Sequence, residues 1–340
     1  MVKQISLQEF IEKSTTIPVV DVRTPLEFEQ GHFPKALNIP IFTNEERVTV
    51  GTTYKQKGRQ PAILLGFELT GPKWANFIEE AEKIAPDKKI MVHCWRGGMR
   101  SGAMAWAFDI YGFEVYTLTG GYKTFRRFWI DSFSKTYNFI ILSGNTGSAK
   151  TRTLQELKKL GQQVIDLEDL AKHQGSSFGS MGKMVQPSQE QFENLLATEL
   201  SNMDISRPIW LEDESVTIGN RVIPKPIWVQ MRNAPVIKID IPREERIEFL
   251  NEEYGTLDKD FLKASVTRIS KRLGPLETKL TLQAIDEDRM KDFIKQVLVY
   301  YDKTYEKGLN NREILNLQTI NLEKINPKEN ANAILNFMNK

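Results

Sequence analysis

The only cysteine of this 340-residue chain, Cys94, lies between an apolar run and a glycine-rich turn. Residues 89–92 predict a buried strand, and residues 101–111 predict a helix that ends before Gly112. At such a turn, backbone N–H groups and the helix N-terminus can bind an anion, and nearby arginines can lower the pKa of the thiol. We therefore expect a reactive thiolate rather than a buried structural cysteine. The residues predicted to act in this site are Cys94, Arg96, Gly97, Gly98 and Arg100.

The spacing between the cysteine and its second arginine indicates the size of the anion. Five residues separate Cys94 from Arg100, and His93 precedes the cysteine. This spacing is also that of cysteine-dependent phosphatases, whose loop surrounds a tetrahedral group. The sequence therefore predicts either hydrolysis of a phosphoester or the handling of a chalcogen carried on phosphate.

A second anion-binding motif follows the apolar strand predicted at Phe139–Ser143. It is typical of a P-loop, whose amides bind a di- or triphosphate while Lys150 neutralises it and Thr151 can hold Mg²⁺. Because Ala149 stands where this motif usually has glycine, we expect a nearly helical backbone there, without a positive φ. A helix is predicted over residues 152–160. The predicted phosphate-binding residues are Gly144, Asn145, Thr146, Gly147, Ser148, Ala149, Lys150 and Thr151.

Two further apolar runs, residues 164–168 and 209–215, are predicted to be strands that end in carboxylates. Strand ends of this kind face the phosphate site of a doubly wound sheet. They can bind Mg²⁺ or act as acid or base; the alternative is a solvated strand end. The polar loop 173–179 is predicted to close over a ligand. The candidate carboxylates are Asp166, Glu212, Asp213 and Glu214.

The elements around these motifs predict an α/β fold. In residues 1–135, strands at 18–23 and 36–40 alternate with a helix that begins at Pro25, which favours a mainly parallel sheet. Residues 136–340 are predicted to be a P-loop α/β domain whose C-terminal region, after about Pro242, is helical with a break at Gly274-Pro275.

The first domain resembles the rhodanese family. The resemblance rests on Asp21-Val22-Arg23, Glu27-Phe28, Gly31-His32, Ala36, Asn38-Ile39-Pro40, Gly112 to Tyr116 and Gly120-Gly121-Tyr122. It implies that Cys94 is the catalytic cysteine. Asp21, Arg23 and His32 are interpreted as hydrogen-bonding residues that hold the fold.

Composition limits the function classes. A single cysteine excludes an internal disulfide, and 40% hydrophobic residues suffice for two cores. The N-terminus lacks a signal-peptide core and no apolar run is long enough to cross a membrane, so cytoplasm is expected. A net charge of +2 does not itself indicate nucleic-acid binding.

Two basic clusters are candidates for RNA contacts. One lies among aromatic residues that could stack on a base, and the other lies in the C-terminal region. The alternative for both is an ordinary solvated helix face. The clusters are Lys123, Arg126 and Arg127 among Tyr122, Phe125, Phe128 and Trp129, and then Arg268, Lys271 and Arg272.

Taken together, the motifs resemble the tRNA 2-selenouridine synthase family over nearly the whole chain. Besides Cys94 and the P-loop, the resemblance rests on residues 51–56, 65–69, 166–168, 173, 175–179, 212–215 and 218–219, while Val216 and Thr217 stand where this family is expected to have a basic residue. It implies that wobble 2-thiouridine of tRNA is S-geranylated from geranyl diphosphate and that selenium from selenophosphate then replaces the geranylthio group. It also implies that Cys94 carries selenium as a selenylsulfide or perselenide, and that an enzyme supplying selenophosphate is a partner.

Two other function classes remain open. One is a sulfurtransferase or cysteine-dependent phosphatase fused to a nucleotide kinase or NTPase, which would turn over nucleotide without tRNA. The other is a non-catalytic RNA-binding protein with a degenerate P-loop, which would not need Cys94.

Overall fold

The computed structural model describes residues 1–173, 185–254, 257–310 and 317–338, without the side chains of 304 and 306–310. Contacts divide the chain into two units. The first contains residues 1–132 and 188–198, and the second contains residues 133–187 and 199–340. The domain boundary predicted after residue 135 places residues 188–198 in the second domain instead.

The first unit is built on a parallel sheet of order β1-β5-β4-β2-β3 in its described residues. Its strands are β1 Lys3–Ile5, β2 Val19–Asp21, β3 Leu37–Asn38, β4 Lys89–His93 and β5 Glu114–Leu118. Its helices are α1 Leu7–Lys13, α2 Pro25–Gln30, α3 Asn44–Lys57, α4 Arg59–Thr70, α5 Trp74–Ile84, α6 Met99–Ile110 and α7 Gly121–Ser132, with a 3₁₀ turn at Gly71–Lys73. The alternating α/β order predicted from the sequence is confirmed.

Local sequence explains where the short helix α2 begins. The Thr24 side chain accepts a hydrogen bond from the Glu27 N–H while the Glu27 carboxylate accepts one from the Thr24 N–H, and Pro25 occupies the first turn. This reciprocal capping satisfies backbone donors that the helix leaves free. As a result, Glu27 has a fixed position from which it reaches the cysteine loop.

The second unit has a parallel sheet of order β12-β11-β6-β8-β7 and a small antiparallel pair, β9 and β10, in its described residues. Its strands are β6 Phe139–Ser143, β7 Gln163–Val164, β8 Ile209–Glu212, β9 Thr217–Ile218, β10 Arg221–Val222, β11 Val236–Asp240 and β12 Leu317–Asn321. Its helices are α8 Lys150–Lys159, α9 Leu167–Ala171, α11 Lys225–Asn233, α12 Arg243–Tyr254, α13 Lys259–Leu273, α14 Pro275–Asp286, α15 Met290–Asn310 and α16 Pro327–Met338, while α10 Gln189–Ser201 lies mostly in the first unit.

Two predicted elements of the second domain are wrong in detail. The strand predicted over residues 164–168 ends at Val164, and Asp166 instead caps α9. The C-terminal region, predicted to be helical, also contributes strand β12, which pairs in parallel with β11. Its single buried residue, Ile320, joins the apolar core of the sheet, so tertiary pairing stabilises a segment with little local strand signal.

Helix α10 packs on the first unit through a polar cluster. Tyr122 donates to Glu190 at 2.7 Å and accepts from the side chain of Asn194 at 2.6 Å, and Gln191 accepts from the His32 N–H at 2.8 Å. Hydrogen-bonded polar groups of this kind tolerate burial. This cluster explains why residues 188–198 belong with the first unit.

Candidate active site

Cys94 follows the last residue of β4, and α6 begins five residues later at Met99. The thiol is buried, with an exposed fraction of 4%. Its sulfur lies 3.2 Å from the hydroxyl oxygen of Ser101 in the first turn of α6. The strand-to-helix turn predicted from the sequence therefore places the thiol at the N-terminus of a helix.

Several groups favour the thiolate form of Cys94. Burial opposes ionisation, but hydrogen bonds from the Ser101 hydroxyl and from the backbone N–H groups of Ser101 and Arg96, together with the charge of Arg100, hold the pKa of Cys94 below its ordinary value. Arg96 acts through its backbone, because its side chain is exposed. The thiolate fraction at neutral pH, and with it the nucleophilicity, is thereby increased.

Arg100 is fixed beside the thiol by an ion pair with Glu27. The two N–O distances are 2.6 and 3.1 Å. The carboxylate raises the pKa of the guanidinium even though burial opposes its charge. Arg100 is therefore held where its charge favours the thiolate form of Cys94.

Gly97 is required by the packing of the loop. Its φ is +64°, and a Cβ atom there would lie 2.6 Å from the carbonyl oxygen of Leu118. Any side chain would push the loop away from β5. A Cβ atom at Gly98, by contrast, would have no atom within 4 Å, and Gly98 is the N-cap residue of α6.

Beneath the loop, Asp21 and Arg23 form a buried ion pair. Their closest N–O distance is 2.6 Å, and Arg23 also donates to the carbonyl of Gly31 at 2.6 Å. The guanidinium stacks 4.0 Å from the centre of the Tyr122 ring. His32 bonds through Nδ1 to the carbonyl oxygen of Phe28 at 2.8 Å. These contacts hold the fold, as the sequence predicted.

We expect Ser101→Ala to raise the pKa of Cys94, because a hydrogen bond worth roughly 1 kcal/mol to the thiolate is lost. The thiolate fraction at pH 7 falls, so the pH profile for modification by a small thiol reagent shifts to higher pH. The measurement is the rate of alkylation between pH 5 and 10. An unshifted profile would contradict a role for this hydroxyl.

The second candidate site follows β6. Residues 144–149 connect the end of that strand to α8, which begins at Lys150. Gly147 has a φ of +83°, and a Cβ atom there would lie 2.8 Å from Leu250. This turn at the end of a central strand is the geometry of a phosphate-binding loop.

The expectation for Ala149 is wrong. Its φ of 53° and ψ of 37° are left-handed, although a side chain at this position costs about 1–2 kcal/mol in that conformation. The residue is buried, and its carbonyl accepts the N–H of Thr153 at 2.9 Å. Packing of the loop therefore overrides the local preference of alanine.

Two buried oxygen atoms in this loop have no hydrogen-bond partner among the described residues: Oδ1 of Asn145 and Oγ of Ser148. Unsatisfied buried polar groups are costly and mark places where a ligand or water completes the structure. Lys150 is turned back to the carbonyl of Gly144 at 2.9 Å. The loop can thus offer a lysine charge and polar side chains to a phosphate group.

The last residue of β8, Glu212, contacts both functional side chains of the loop. Glu212 accepts from the hydroxyl of Thr151 at 2.8 Å and lies 3.5 Å from the ammonium of Lys150. Burial opposes the charge of Lys150, but Tyr305 and Glu212 outweigh it and raise its pKa. Lysine therefore stays charged in this buried position.

Three glutamates bring carboxylate oxygens to within 4.8 Å of one another: Glu168, Glu212 and Glu214. Burial and the neighbouring Glu212 raise the pKa of Glu214 well above its ordinary value. Oxygen donors beside a P-loop threonine suit Mg²⁺. The structure thus groups two of the candidate carboxylates, Glu212 and Glu214, with Glu168, which was not among the candidates.

The other two predicted carboxylates have different surroundings. Asp166 accepts the N–H of Asp169 at 2.9 Å as the cap of α9, so the predicted role in catalysis or Mg²⁺ binding is not supported by its position. Asp213 accepts from Ser143 at 2.8 Å. The early end of β7 explains the change, because it places Glu168 rather than Asp166 at the cluster.

Residues from the helical region complete this site, and sequence reasoning missed them. Arg246 donates to the carbonyl of Thr146 at 3.1 Å and forms a bidentate ion pair with Asp302. Tyr305 lies with its ring centre 5.1 Å from the Lys150 ammonium. In the sequence, Arg246 and Tyr305 lie in charged segments that are predicted to be helical, and no motif marks either residue.

The side chains of the two basic clusters differ in how far they are exposed for contact with RNA. Tyr122, Phe125 and Trp129 are buried, so the predicted stacking of these rings on a base is wrong, and Arg126 is ion-paired with Glu193. The periodicity of α7 buries its aromatic face in the unit. The side chains that remain exposed are those of Lys123, Arg127, Phe128, Arg268, Lys271 and Arg272.

Most of the predicted closing loop, residues 174–179, lies outside the described residues. In the part of the chain that is described, no helix has the length and apolar character needed to cross a membrane.

The fold and the two sites define a class: a rhodanese-like unit joined to a P-loop unit. A rhodanese-like domain family matches residues 4–128, and the family described as the tRNA 2-selenouridine synthase AAA domain matches residues 137–326. The chain belongs to the tRNA 2-selenouridine synthase family.

Three relatives bearing the name tRNA 2-selenouridine synthase illustrate the match. That of Hydrogenovibrio crunogenus is 34% identical and covers 95% of both chains. That of Marinobacter nauticus is 36% identical over 87% of this chain and 89% of its own. That of Nitrosomonas europaea is 38% identical over 70% of this chain, which spans 63% of that relative's length.

Proposed function

We propose that this protein converts wobble 2-thiouridine of tRNA to 2-selenouridine in two steps. Geranyl diphosphate first alkylates the sulfur, and selenium from selenophosphate then replaces the geranylthio group. The observation that carries the proposal is that one chain of this family combines a buried thiol, 3.2 Å from Ser101 at the start of a helix, with a P-loop in which two buried oxygens have no hydrogen-bond partner among the described residues.

The P-loop suits the first step. The C1–O bond of geranyl diphosphate breaks, the C1–S bond forms, diphosphate leaves with the electron pair, and the N3 proton of the thiouridine passes to water. Lys150 and the loop N–H groups bind the departing charge. Thr151, Glu212 and Glu168 would hold Mg²⁺, which when bound supplies further positive charge to the diphosphate. Alkylation turns the sulfur into a thiol leaving group.

Cys94 suits the second step as a nucleophile. Selenium in selenophosphate is fully reduced, so an S–Se bond to Cys94 requires a two-electron oxidant as co-reactant. Attack of the thiolate on phosphorus requires none: the S–P bond forms, the P–Se bond breaks, and hydroselenide leaves with the electron pair. Hydroselenide then attacks C2 and expels geranylthiolate, and water releases phosphate from Cys94. The spacing of Cys94 and Arg100 favours this redox-neutral route over selenium carriage.

The test is nucleoside mass spectrometry of thiolated tRNA incubated with the protein, geranyl diphosphate and selenophosphate, supplied directly or by a selenophosphate-forming enzyme. We expect S-geranyl-2-thiouridine followed by 2-selenouridine. Rapid phosphate release from nucleotide or phosphoester without tRNA, and no modified nucleoside, would favour the fused phosphatase or NTPase instead.

The exposed basic residues of α13 are expected to contact tRNA phosphates. Replacing Lys271 and Arg272 by Ala should flatten the slope of log K against log[salt] by roughly two units, about one for each lost contact. Arg126→Ala is the control, because Arg126 is already paired with Glu193. Filter binding at several salt concentrations measures both slopes. If Arg126→Ala flattened the slope as much as the double substitution does, α13 would not be the surface that contacts tRNA.

A further inference from the structure

Helices α3 and α4 and the first turns of α6 enclose an apolar cavity in the first unit. Its volume is about 380 Å³, which lies within the range of small-molecule sites. Apolar side chains that line it include Ile41, Phe42, Val50, Ala62, Ile63 and Trp74.

The helices around this cavity leave apolar side chains uncovered. No residue of α3 is buried, and Tyr54, Phe67 and Met99 in the cavity wall are each more than half exposed. Large apolar side chains around one concave surface indicate a binding site rather than scattered exposure. An apolar ligand would remove these surfaces from water.

The same cavity carries positive charge. Arg47, Lys55 and Arg59 line it, are exposed, and have no carboxylate within 4 Å among the described residues. A pocket with an apolar interior and unpaired cations suits a ligand whose apolar chain is attached to a phosphate-bearing group.

The cavity shares its wall with the cysteine loop. Met99 and Arg100 line the cavity, while the next residue, Ser101, contacts the sulfur of Cys94. A ligand in the cavity therefore lies against the turn that presents the thiol.

We propose that this cavity binds the ten-carbon chain of the S-geranylated nucleoside while it remains attached to tRNA, with Arg47, Lys55 and Arg59 meeting neighbouring phosphates. The inference rests on the proposed function and adds its prenyl subsite. As the C2–Se bond forms, the C2–S bond breaks, and sulfur leaves with the electron pair as geranylthiolate, which takes a proton. Geranyl diphosphate also joins an apolar chain to phosphate groups, but its proposed site is the P-loop, which belongs to the other unit. The cavity adjoins the cysteine loop, so we assign it to the geranylated nucleoside.

The test compares two adjacent substitutions on α4. Ile63→Trp fills the cavity, whereas Leu64→Trp adds the same bulk at an exposed position outside it. Each variant is assayed for geranylation of thiolated tRNA, and for selenation of tRNA carrying either S-geranyl- or S-methyl-2-thiouridine. Thermal unfolding checks the fold, and Phe67→Ala provides a second change in the cavity wall.

We expect Ile63→Trp to weaken binding and selenation of S-geranyl tRNA by about tenfold, with S-methyl tRNA and geranylation unchanged. Phe67→Ala should act in the same direction, and Leu64→Trp should have no effect. Equal losses for both tRNAs, or a loss confined to geranylation, would overturn the inference; the latter would assign the cavity to geranyl diphosphate.

Binding by the unmodified protein separates this inference from the proposed function. An S-geranyl anticodon oligonucleotide should bind about tenfold more tightly than its S-methyl counterpart, and Ile63→Trp should remove that difference. If the protein modifies no tRNA but keeps this preference, the cavity assignment stands and the proposed function fails. If it forms selenouridine without the preference, the reverse holds.

Discussion

Cys94→Ser should stop selenouridine formation while the geranylated nucleoside accumulates. The loss is expected to be on the order of a thousandfold or more, since a hydroxyl is not ionised where the thiol is. The residues that we propose to hold the diphosphate belong to the P-loop and are unchanged by the substitution. The measurement is mass spectrometry of nucleosides from tRNA treated with the variant and both co-substrates.

The geranylation rate of the same Cys94→Ser sample is its internal control, because it reports an intact second unit. Ser101→Ala, which keeps the thiol, should lose far less selenation and should regain much of it at higher pH. Normal selenouridine formation by Cys94→Ser would remove the cysteine from the reaction.

Lys150→Ala should reduce geranyl transfer by about 10²–10³, the effect expected when one preorganised charge no longer stabilises the leaving group. Lys150 is a buried cation of the loop, with Glu212 3.5 Å away. The thiol of Cys94 is unchanged, so tRNA that already carries the geranyl group should still be selenated. Quantifying both nucleosides separates the two steps.

Arg152→Ala is the matched control for Lys150→Ala. Arg152 lies two residues further along α8, but its side chain is about half exposed and pairs with Glu253. We expect nearly normal geranyl transfer from this variant. Full geranyl transfer by a folded Lys150→Ala protein would contradict the phosphate-binding role of the loop.

The contiguous parts of both sites could be predicted from the sequence. The cysteine turn and the P-loop each lie within about ten residues, and their glycines, cations and preceding apolar strands carry a local signal. The start of α2 at Pro25 was predicted from equally local residues. None of these predictions needed knowledge of how distant segments pack.

Predictions that depended on side-chain direction or on long-range packing were less accurate. Glu168 rather than Asp166 joins the carboxylate cluster because β7 ends two residues before Asp166. Ala149 adopts a left-handed conformation imposed by its surroundings. The sequence predicts that Arg126 is free to contact RNA, but the fold brings Glu193, 67 residues away, into an ion pair with it.

The sequence alone therefore determined the chemical types present: a thiol in a glycine-rich strand-to-helix turn, a lysine in a P-loop motif, and the α/β elements that carry them. Their signals are local because each turn is made by consecutive backbone groups. Only the tertiary structure decided that Arg246 and Tyr305 complete the P-loop site and that α3 and α4 enclose a cavity beside the cysteine loop. These arrangements arise from packing between residues far apart in the chain, which short-range spacing does not encode.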